Sequence, residues 1–418
     1  MKLKIFVSAY ACEPDLGSEI GVGWNWVLEM SKYFDLWVLT RRSNQKSIEH
    51  WMADHPEYSH IRFLYYDLPR WSRFWKKGLR GVRLYYNLWQ FGIDKIVKRT
   101  MKDNDIQIFH HLTYGNFLWS VSRYGQKQLF VWGPGSAGSV VPKEFSRRYS
   151  PKSRIKEIVQ RLIRKSLRYN NIFNTQCKNS NLILCKTSDT LSSIPDKYVA
   201  KAVLFTDVAA KTENTPIVCK MKDTPPVSTL KYLAVGTLDG WRGFDVLIEA
   251  FSLALKTYPD MELEIAGTGS EWQILQASID RLKMNSRIRL LGKISMDTYY
   301  KKMANADVIV NSCLREGGVT TAFDAMSFGK PLLCIETGGY TRHFNDDYAI
   351  IIPLKNRQDM IIGMAEGILQ LTNKDMRKKK GIKAKEAAEQ HTWAQIGEQI
   401  HETIRAAYSE WMKNKAKI

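Results

Sequence analysis

Glu316 and Asp324 stand eight positions apart in the sequence. The first opens a Gly-rich turn, Glu316-Gly317-Gly318-Val319-Thr320, and the second falls inside the helix that this turn introduces. Gly317 and Gly318 bare backbone N–H groups at a helix N-terminus, where the helix dipole favours an anion such as diphosphate. Both carboxylates can accept hydrogen bonds from sugar hydroxyls. A ligand made of two polyols joined by a diphosphate, a nucleotide sugar, meets all three demands.

With the trailing Ala325-Met326-Ser327-Phe328-Gly329-Lys330-Pro331, the run resembles the E-x7-E signature of the retaining group 1 (family 4) glycosyltransferases, which have the GT-B fold. Here it reads E-x7-D, so the second acid is one methylene shorter. Val235-Gly236-Thr237-Leu238-Asp239-Gly240-Trp241-Arg242-Gly243 resembles the family's G-R-L-x-x-x-K-G segment, whose cations hold the donor diphosphate. Arg242 takes the Lys position, and its planar fork can grip two phosphate oxygens. Thr237 takes the Arg position, so one cation is missing there and Arg315 or Lys293 is left to replace it. Leu291-Gly292-Lys293-Ile294 is similar to the strand end whose main chain reads the base.

The resemblance implies a division of labour. Glu316 would orient the donor sugar and stabilise developing oxocarbenium charge. Asp324 would bind ribose hydroxyls and Arg242 the leaving diphosphate. Gly317, Gly318, Val319, Thr320 and Lys293 would complete the donor site. It implies retention, no metal, and no cofactor beyond the nucleoside diphosphate sugar itself.

In the first half, the Gly-rich segment from Glu13 to Gly23 follows the first strand and places Gly17 and Gly21 where backbone can approach donor phosphate. The same glycines also suit plain helix–sheet packing. His110 matches the family's histidine near the reacting sugar, at the end of a hydrophobic strand where open α/β sheets place ligands. A satisfied core histidine is the other reading, and for His111 it is the favoured one. Gly133-Pro134-Gly135-Ser136-Ala137-Gly138 resembles a Gly-Pro loop on the acceptor side.

These residues need two α/β halves to hold them. Strand patterns at Leu3–Ala9, Phe34–Thr40, Ile61–Tyr66, Asp105–His111 and Gln128–Gly135 alternate with helices. A second series follows at Tyr232–Gly236, Met261–Gly267, Ile288–Gly292, Ala306–Asn311 and Lys330–Ile335. Such alternation predicts parallel sheets covered on both faces. With the resemblance, the expected fold class is α/β, GT-B: two Rossmann-like domains facing across a cleft. The expected domains are an acceptor-side one at 1–206, a nucleotide-sugar domain at 207–391, and a final helix at 392–418 returning to the first. The Thr-, Pro- and Lys-rich stretch from Asp207 to Ser228 is the expected linker.

Composition sets outer limits. The chain has 418 residues, 44% hydrophobic, which suits two globular domains. Six scattered cysteines without a C-x-x-C pair predict free thiols in a reducing compartment. The first apolar run is too short for a signal peptide, and no stretch reaches the roughly 20 residues of a membrane span. A cytoplasmic, non-spanning protein is therefore expected.

The net charge of +20 concentrates in amphipathic stretches at 69–102 and 154–168. Basic helices of that kind suit the surface of an anionic bilayer, although an ordinary core stripe with a solvated charged face fits as well. No nucleic-acid reading module is present. The expected function is hexose transfer from a nucleoside diphosphate sugar to a polysaccharide or lipid-linked glycan. Two alternatives stay open: another GT-B enzyme, such as a nucleotide-sugar epimerase or phosphorylase, or a non-catalytic GT-B scaffold.

Overall fold

The computed structural model describes all residues except 1, 70, 72–80, 123–127, 138, 212–228, 316–319, 338–342 and 417–418. The chain divides into two compact units, one of 1–138, 165–207 and 393–418, the other of 139–164 and 208–392.

In the first unit a parallel sheet carries seven strands among the described residues, in the order β3-β2-β1-β4-β5-β6-β7. They are β1 (Lys4–Ala9), β2 (Asp35–Arg41), β3 (Arg62–Tyr66), β4 (Ile108–Thr113), β5 (Leu129–Gly135), β6 (Leu182–Cys185) and β7 (Ala202–Leu204). Helices α1 (Ser18–Tyr33), α2 (Gln45–Asp54), α3 (Val82–Gly92), α4 (Asp94–Asp103), α5 (Pro151–Ser166), α6 (Asn171–Asn179) and α7 (Ser188–Leu191) fall between them. Most of α5 belongs to the other unit. Strand β4 begins three residues later than its apolar pattern suggests, because Asp105 takes a left-handed φ of 51° that ends a turn. The strand also runs on to Thr113, which puts His110 and His111 inside it rather than beyond its end.

The second unit repeats the plan in six strands, ordered β10-β9-β8-β11-β12-β13. They are β8 (Leu230–Val235), β9 (Met261–Ala266), β10 (Ile288–Gly292), β11 (Val308–Asn311), β12 (Leu332–Ile335) and β13 (Ala349–Ile352). Helices α8 (Phe244–Leu255), α9 (Trp272–Arg281), α10 (Met296–Asn305), α11 (Thr320–Ser327), α12 (Arg357–Gln370) and α13 (Lys374–Glu389) cover it. Its core is aliphatic, built from residues such as Leu247, Phe251, Leu263, Ile265, Val308 and Leu333.

The last helix, α14 (Trp393–Lys415), returns to the first unit and packs on α1. Ile396, Ile400 and Ile404 recur every four residues and are all buried, which is the apolar stripe of a docked helix. His401 stacks on Tyr33 at 4.6 Å, and Gly397 lets Glu29 and Tyr33 approach the helix backbone. Five cysteines, Cys12, Cys177, Cys185, Cys313 and Cys334, are free and buried. The expected linker lies mostly outside the described residues.

Candidate functional site

At the carboxyl edge of the second sheet, three backbone loops are pressed together. Gly267 has φ 146°, and a Cβ there would lie 1.8 Å from the Gly236 carbonyl oxygen. Gly243 has φ 65° and no room for a Cβ, which would lie 2.2 Å from the Ser312 oxygen. These constraints explain the Gly-x-Gly turn after β9, to which the sequence alone assigned no chemistry: it seats the loop that carries Arg242.

Between them a short 3₁₀ turn, Gly240–Arg242, leads into α8. The Ser312 hydroxyl donates to the Arg242 carbonyl at 2.8 Å. The Arg242 guanidinium lies over the Trp241 ring at 4.1 Å, and its Nη1 donates to Cys313 Sγ at 3.2 Å. Its Nε is buried without a hydrogen-bond partner among the described residues. Arg315 approaches the same ring at 4.9 Å. Burial pulls the Arg315 pKa down, while the Glu157 carboxylate 3.1 Å away pulls it back up. Two guanidiniums thus share one indole, a geometry held together by cation–π attraction despite their like charge.

Of the two candidate replacement cations, Arg315 stands beside Arg242, whereas Lys293 is exposed, with no ion-pair partner among the described residues. Thr237 is exposed on the loop between them.

Asp324 sits on α11 and is only 3% exposed. Tyr299 donates to its Oδ2 at 2.6 Å, and the Lys211 ammonium lies 3.7 Å from Oδ1. Burial raises its pKa, with Lys211 and the Tyr299 hydroxyl opposing. Both carboxylate oxygens face protein groups. Thr320 is the first residue of α11, and Glu316, Gly317, Gly318 and Val319 lie outside the described residues.

Segment 139–164 covers part of this edge. Tyr149 packs its ring against Gly240, Ser150 donates its N–H to Glu271 at 3.0 Å, and Lys156 pairs with Asp239 at 3.1 Å. Helix α5 is oriented against its own pattern. Ser153 and Glu157 face inward, while Ile155, Ile158, Val159 and Leu162 are 62%, 47%, 47% and 61% exposed. The polar partners Arg315 and Ser270 explain the choice, since each satisfies a side chain that would otherwise be buried unpaired.

At the carboxyl edge of the first sheet, Gly17 caps α1 with φ −88°, an extended value open to any residue. The crowded glycines are Gly21 and Gly23, whose Cβ atoms would meet the Leu16 and Ala11 carbonyl oxygens at 1.9 and 2.1 Å. His110 is fully buried, its Nε2 2.6 Å from the Gly133 carbonyl oxygen, and burial pushes its pKa down to about 4. It is a neutral imidazole fixed to the Gly-Pro loop. His111 is also buried, 3.0 Å from the Tyr86 hydroxyl, with a pKa of about 3.

Sequence reading gave no role to Glu19, Lys186 or Asp207, which meet at this edge. The Gly115 N–H donates to Glu19 Oε1 at 2.5 Å, and Lys186 pairs with Asp207 at 2.5 Å. The available signal was positional: each follows a strand of the sheet, after β1, β6 and β7 respectively.

With both edges described, comparison with known proteins shows what part of the chain is similar to. The glycosyl transferases group 1 model matches residues 221–390, the stretch that contains Arg242, Arg315 and Asp324. Over that stretch the chain is similar to the group 1 glycosyltransferases. Over 153 residues it is 31% identical to the GtfA subunit of the Streptococcus agalactiae UDP-N-acetylglucosamine–peptide N-acetylglucosaminyltransferase, covering 35% of this chain and 30% of that one. Over 179 residues it is 26% identical to an uncharacterized glycosyltransferase of Methanocaldococcus jannaschii, covering 43% of this chain and 47% of that one. The chain thus matches less than half the length of these relatives.

Among solved structures, Anabaena HepE in complex with UDP and glucose superposes on this chain with a TM-score of 0.62. It shares 16% identity and covers 96% of this chain and 99% of its own. The lipopolysaccharide outer core galactosyltransferase WaaB gives 0.63 at 14% identity, covering 97% and 99%. The fold is GT-B, with two parallel Rossmann-like sheets and a final helix on α1. No helix among the described residues is long and apolar enough to cross a membrane.

Proposed function

We propose that this chain moves a hexose, with retention, from a UDP-hexose to a polysaccharide or lipid-linked glycan. The observation that carries the reading is the arginine pair on Trp241, inside the family-matched stretch and at the carboxyl edge of its sheet. Arg242 Nε has no partner among the described residues to give up, so a diphosphate oxygen adds a charge-assisted bond there without breaking one. Arg315 supplies the second cation that Thr237 lacks. The base assignment draws on HepE, which was solved with UDP and glucose.

In this reading Glu316 orients the donor sugar and stabilises positive charge as the C1–O bond to diphosphate breaks. Gly317, Gly318, Val319 and Thr320 offer backbone N–H groups to the diphosphate. The acceptor oxygen bonds to C1 on the face from which UDP leaves, and its proton passes to the departing phosphate oxygen. Asp324, closed in by Tyr299 and Lys211, positions α11. Neutral His110 holds the Gly133 loop. Incubation with UDP-, GDP- and ADP-hexoses tests the assignment. Slow hydrolysis of a UDP-hexose, abolished by Glu316→Ala, is the expected result; no binding or hydrolysis of any donor sinks it.

We infer further that the protein works on the cytoplasmic face of an anionic membrane without spanning it. Helix α5 supports this: its four exposed aliphatic side chains are flanked by Lys152, Arg154, Lys156 and Lys165. The other basic stretch supports it less. In its described part, Tyr85, Tyr86, Trp89, Ile93, Val97 and Met101 are core, and the stretch breaks at Ile93 into α3 and α4. Arg70, Arg73, Lys76, Lys77 and Arg80 lie outside the described residues.

A further inference from the structure

Segment 139–164 is seated on the second unit in two different ways. Ahead of α5, Val141, Phe145 and Tyr149 join the apolar core of that unit. Along α5 itself, Ile155, Ile158, Val159 and Leu162 face solvent instead. What turns inward is Ser153, whose hydroxyl meets that of Ser270 at 2.9 Å, and Glu157. Lys156 reaches Asp239 from a side chain that is 60% exposed. Hydroxyl pairs and exposed ion pairs are individually weak. Because its aliphatic side chains are already in solvent, α5 can lift without exposing a large new apolar surface.

Glu157 is the strong point of that seat. Arg315 Nη1 lies 3.1 and 3.3 Å from its two carboxylate oxygens, and the residue is only 3% exposed. Arg315 shares the Trp241 ring with Arg242, whose Nε has no partner among the described residues. Asp239, the other acid close to Arg315, is engaged by Lys156. Two guanidiniums are thus matched by one buried carboxylate, and that carboxylate belongs to α5. A diphosphate offers the same oxygen chemistry with more charge, in a form that guanidinium forks grip well. It can bind Arg242 without displacing anything. At Arg315 it meets Glu157 already in place, and two anions on one guanidinium repel strongly where water is scarce.

We propose that Glu157 stands in for the donor diphosphate on Arg315, and that the arriving donor displaces it and unseats α5. The proposal rests on the glycosyl-transfer reading and adds a donor-responsive strap to it. In the empty chain Glu157 balances the arginine pair and holds α5 down. In the loaded chain the diphosphate takes over that balance, and α5 keeps only its weaker hydroxyl and surface contacts.

Amide hydrogen exchange of the full chain with and without UDP, alongside calorimetry, tests it. UDP is expected to speed exchange across residues 153–162 about fivefold or more. Glu157→Gln keeps the shape and removes the charge, so it should bind UDP about fivefold more tightly than wild type. In that variant the α5 amides should already exchange fast without UDP and respond little to its addition. Exchange in wild-type α5 that UDP leaves unchanged or slows would overturn the proposal, since Glu157 would then stay on Arg315. Unchanged or weaker UDP binding in Glu157→Gln would overturn it as well, because the carboxylate would then be a bystander or an orienting group for Arg315. The wild-type exchange stands as a test even where the variant fails to fold. A wild-type chain that binds no UDP instead removes the donor reading, so the two failures are distinguishable.

Discussion

The two sheets share one plan and differ in sign at the edge that matters. In both, the strand order runs outward from a central first strand, three-two-one and then four-five-six, with every pair parallel. Such an order opens a crevice beyond the carboxyl ends of the strands. At the second sheet that place holds Arg242 and Arg315 on Trp241, with glycine backbones packed tightly beneath them. At the first it holds Glu19 and Asp207 with a single lysine. Topology fixes where a ligand can go. The loops then set the charge found there: two guanidiniums at one edge, two carboxylates and an ammonium at the other.

The largest expected effect is at a glycine of the second edge. Gly267→Ala puts a Cβ into the Gly236 carbonyl oxygen and into a φ of 146°, so it should destabilise the second unit by about 3 kcal/mol or more. Gly17→Ala, at an extended φ, should cost less than about 1 kcal/mol. Denaturant midpoints of the two variants measure both. Equal costs would mean that the close approach of Gly267 to the Gly236 carbonyl does not constrain the second unit. Next in size, Arg242→Ala should weaken UDP about tenfold to a hundredfold in calorimetry, the value of a charge-assisted contact. Lys293→Ala, exposed and unpaired among the described residues, should change UDP affinity less than about twofold. Comparable losses would return Lys293 to the donor site.

The pattern of the chain carried the architecture further than the site. Period and turn residues located ten strands to within a few positions, because β8, β9 and β10 are uninterrupted apolar or alternating runs. The strands β6, β7 and β13, three or four residues long, were missed, although β11 and β12, four residues each, were found. Arg242 was legible because a strand, a loop and a helix start enclose it. Glu19, Lys186 and Asp207 were not, since they are 167 and 21 positions apart and only the closed sheet assembles them. Helices α3, α4 and α5 show the harder limit. All three have an amphipathic period, which says that two faces differ but not which one the fold buries. On α3 and α4 the stripe through Tyr85, Trp89, Ile93 and Val97 is core, while Leu84, Leu88 and Phe91 of α3 stay exposed; on α5 the polar face goes in, because Arg315 and Ser270 wait there.

That reversal sets the third test. Replacing Ile155 and Leu162 by glutamate should leave the fold intact, since both are exposed, yet reduce flotation with anionic vesicles at least tenfold. Binding should also fall as salt rises, because the flanking lysines and arginine act through screened attraction. Salt-independent flotation, or none in the wild type, removes the membrane from the reading and leaves α5 as an unexplained apolar face.

The smallest expected effect concerns Asp324, where the two candidate roles predict opposite behaviour with pH. Burial raises its pKa above the unfolded value, so between those two values the folded chain binds more protons than the unfolded one. Stability contributed at this residue therefore falls as pH rises through that window. Asp324→Asn removes the term while keeping an oxygen for the Tyr299 hydroxyl. The variant should thus gain stability relative to wild type as pH rises from the ordinary aspartate range through the raised folded value, read as the difference in denaturant midpoints. UDP affinity should hold, since Tyr299 and Lys211 already occupy the carboxylate. A large loss of UDP binding in Asp324→Asn would mean that the side chain turns to the ribose when the donor arrives. The second acid would then act on the ligand itself, as the E-x7-E resemblance implies.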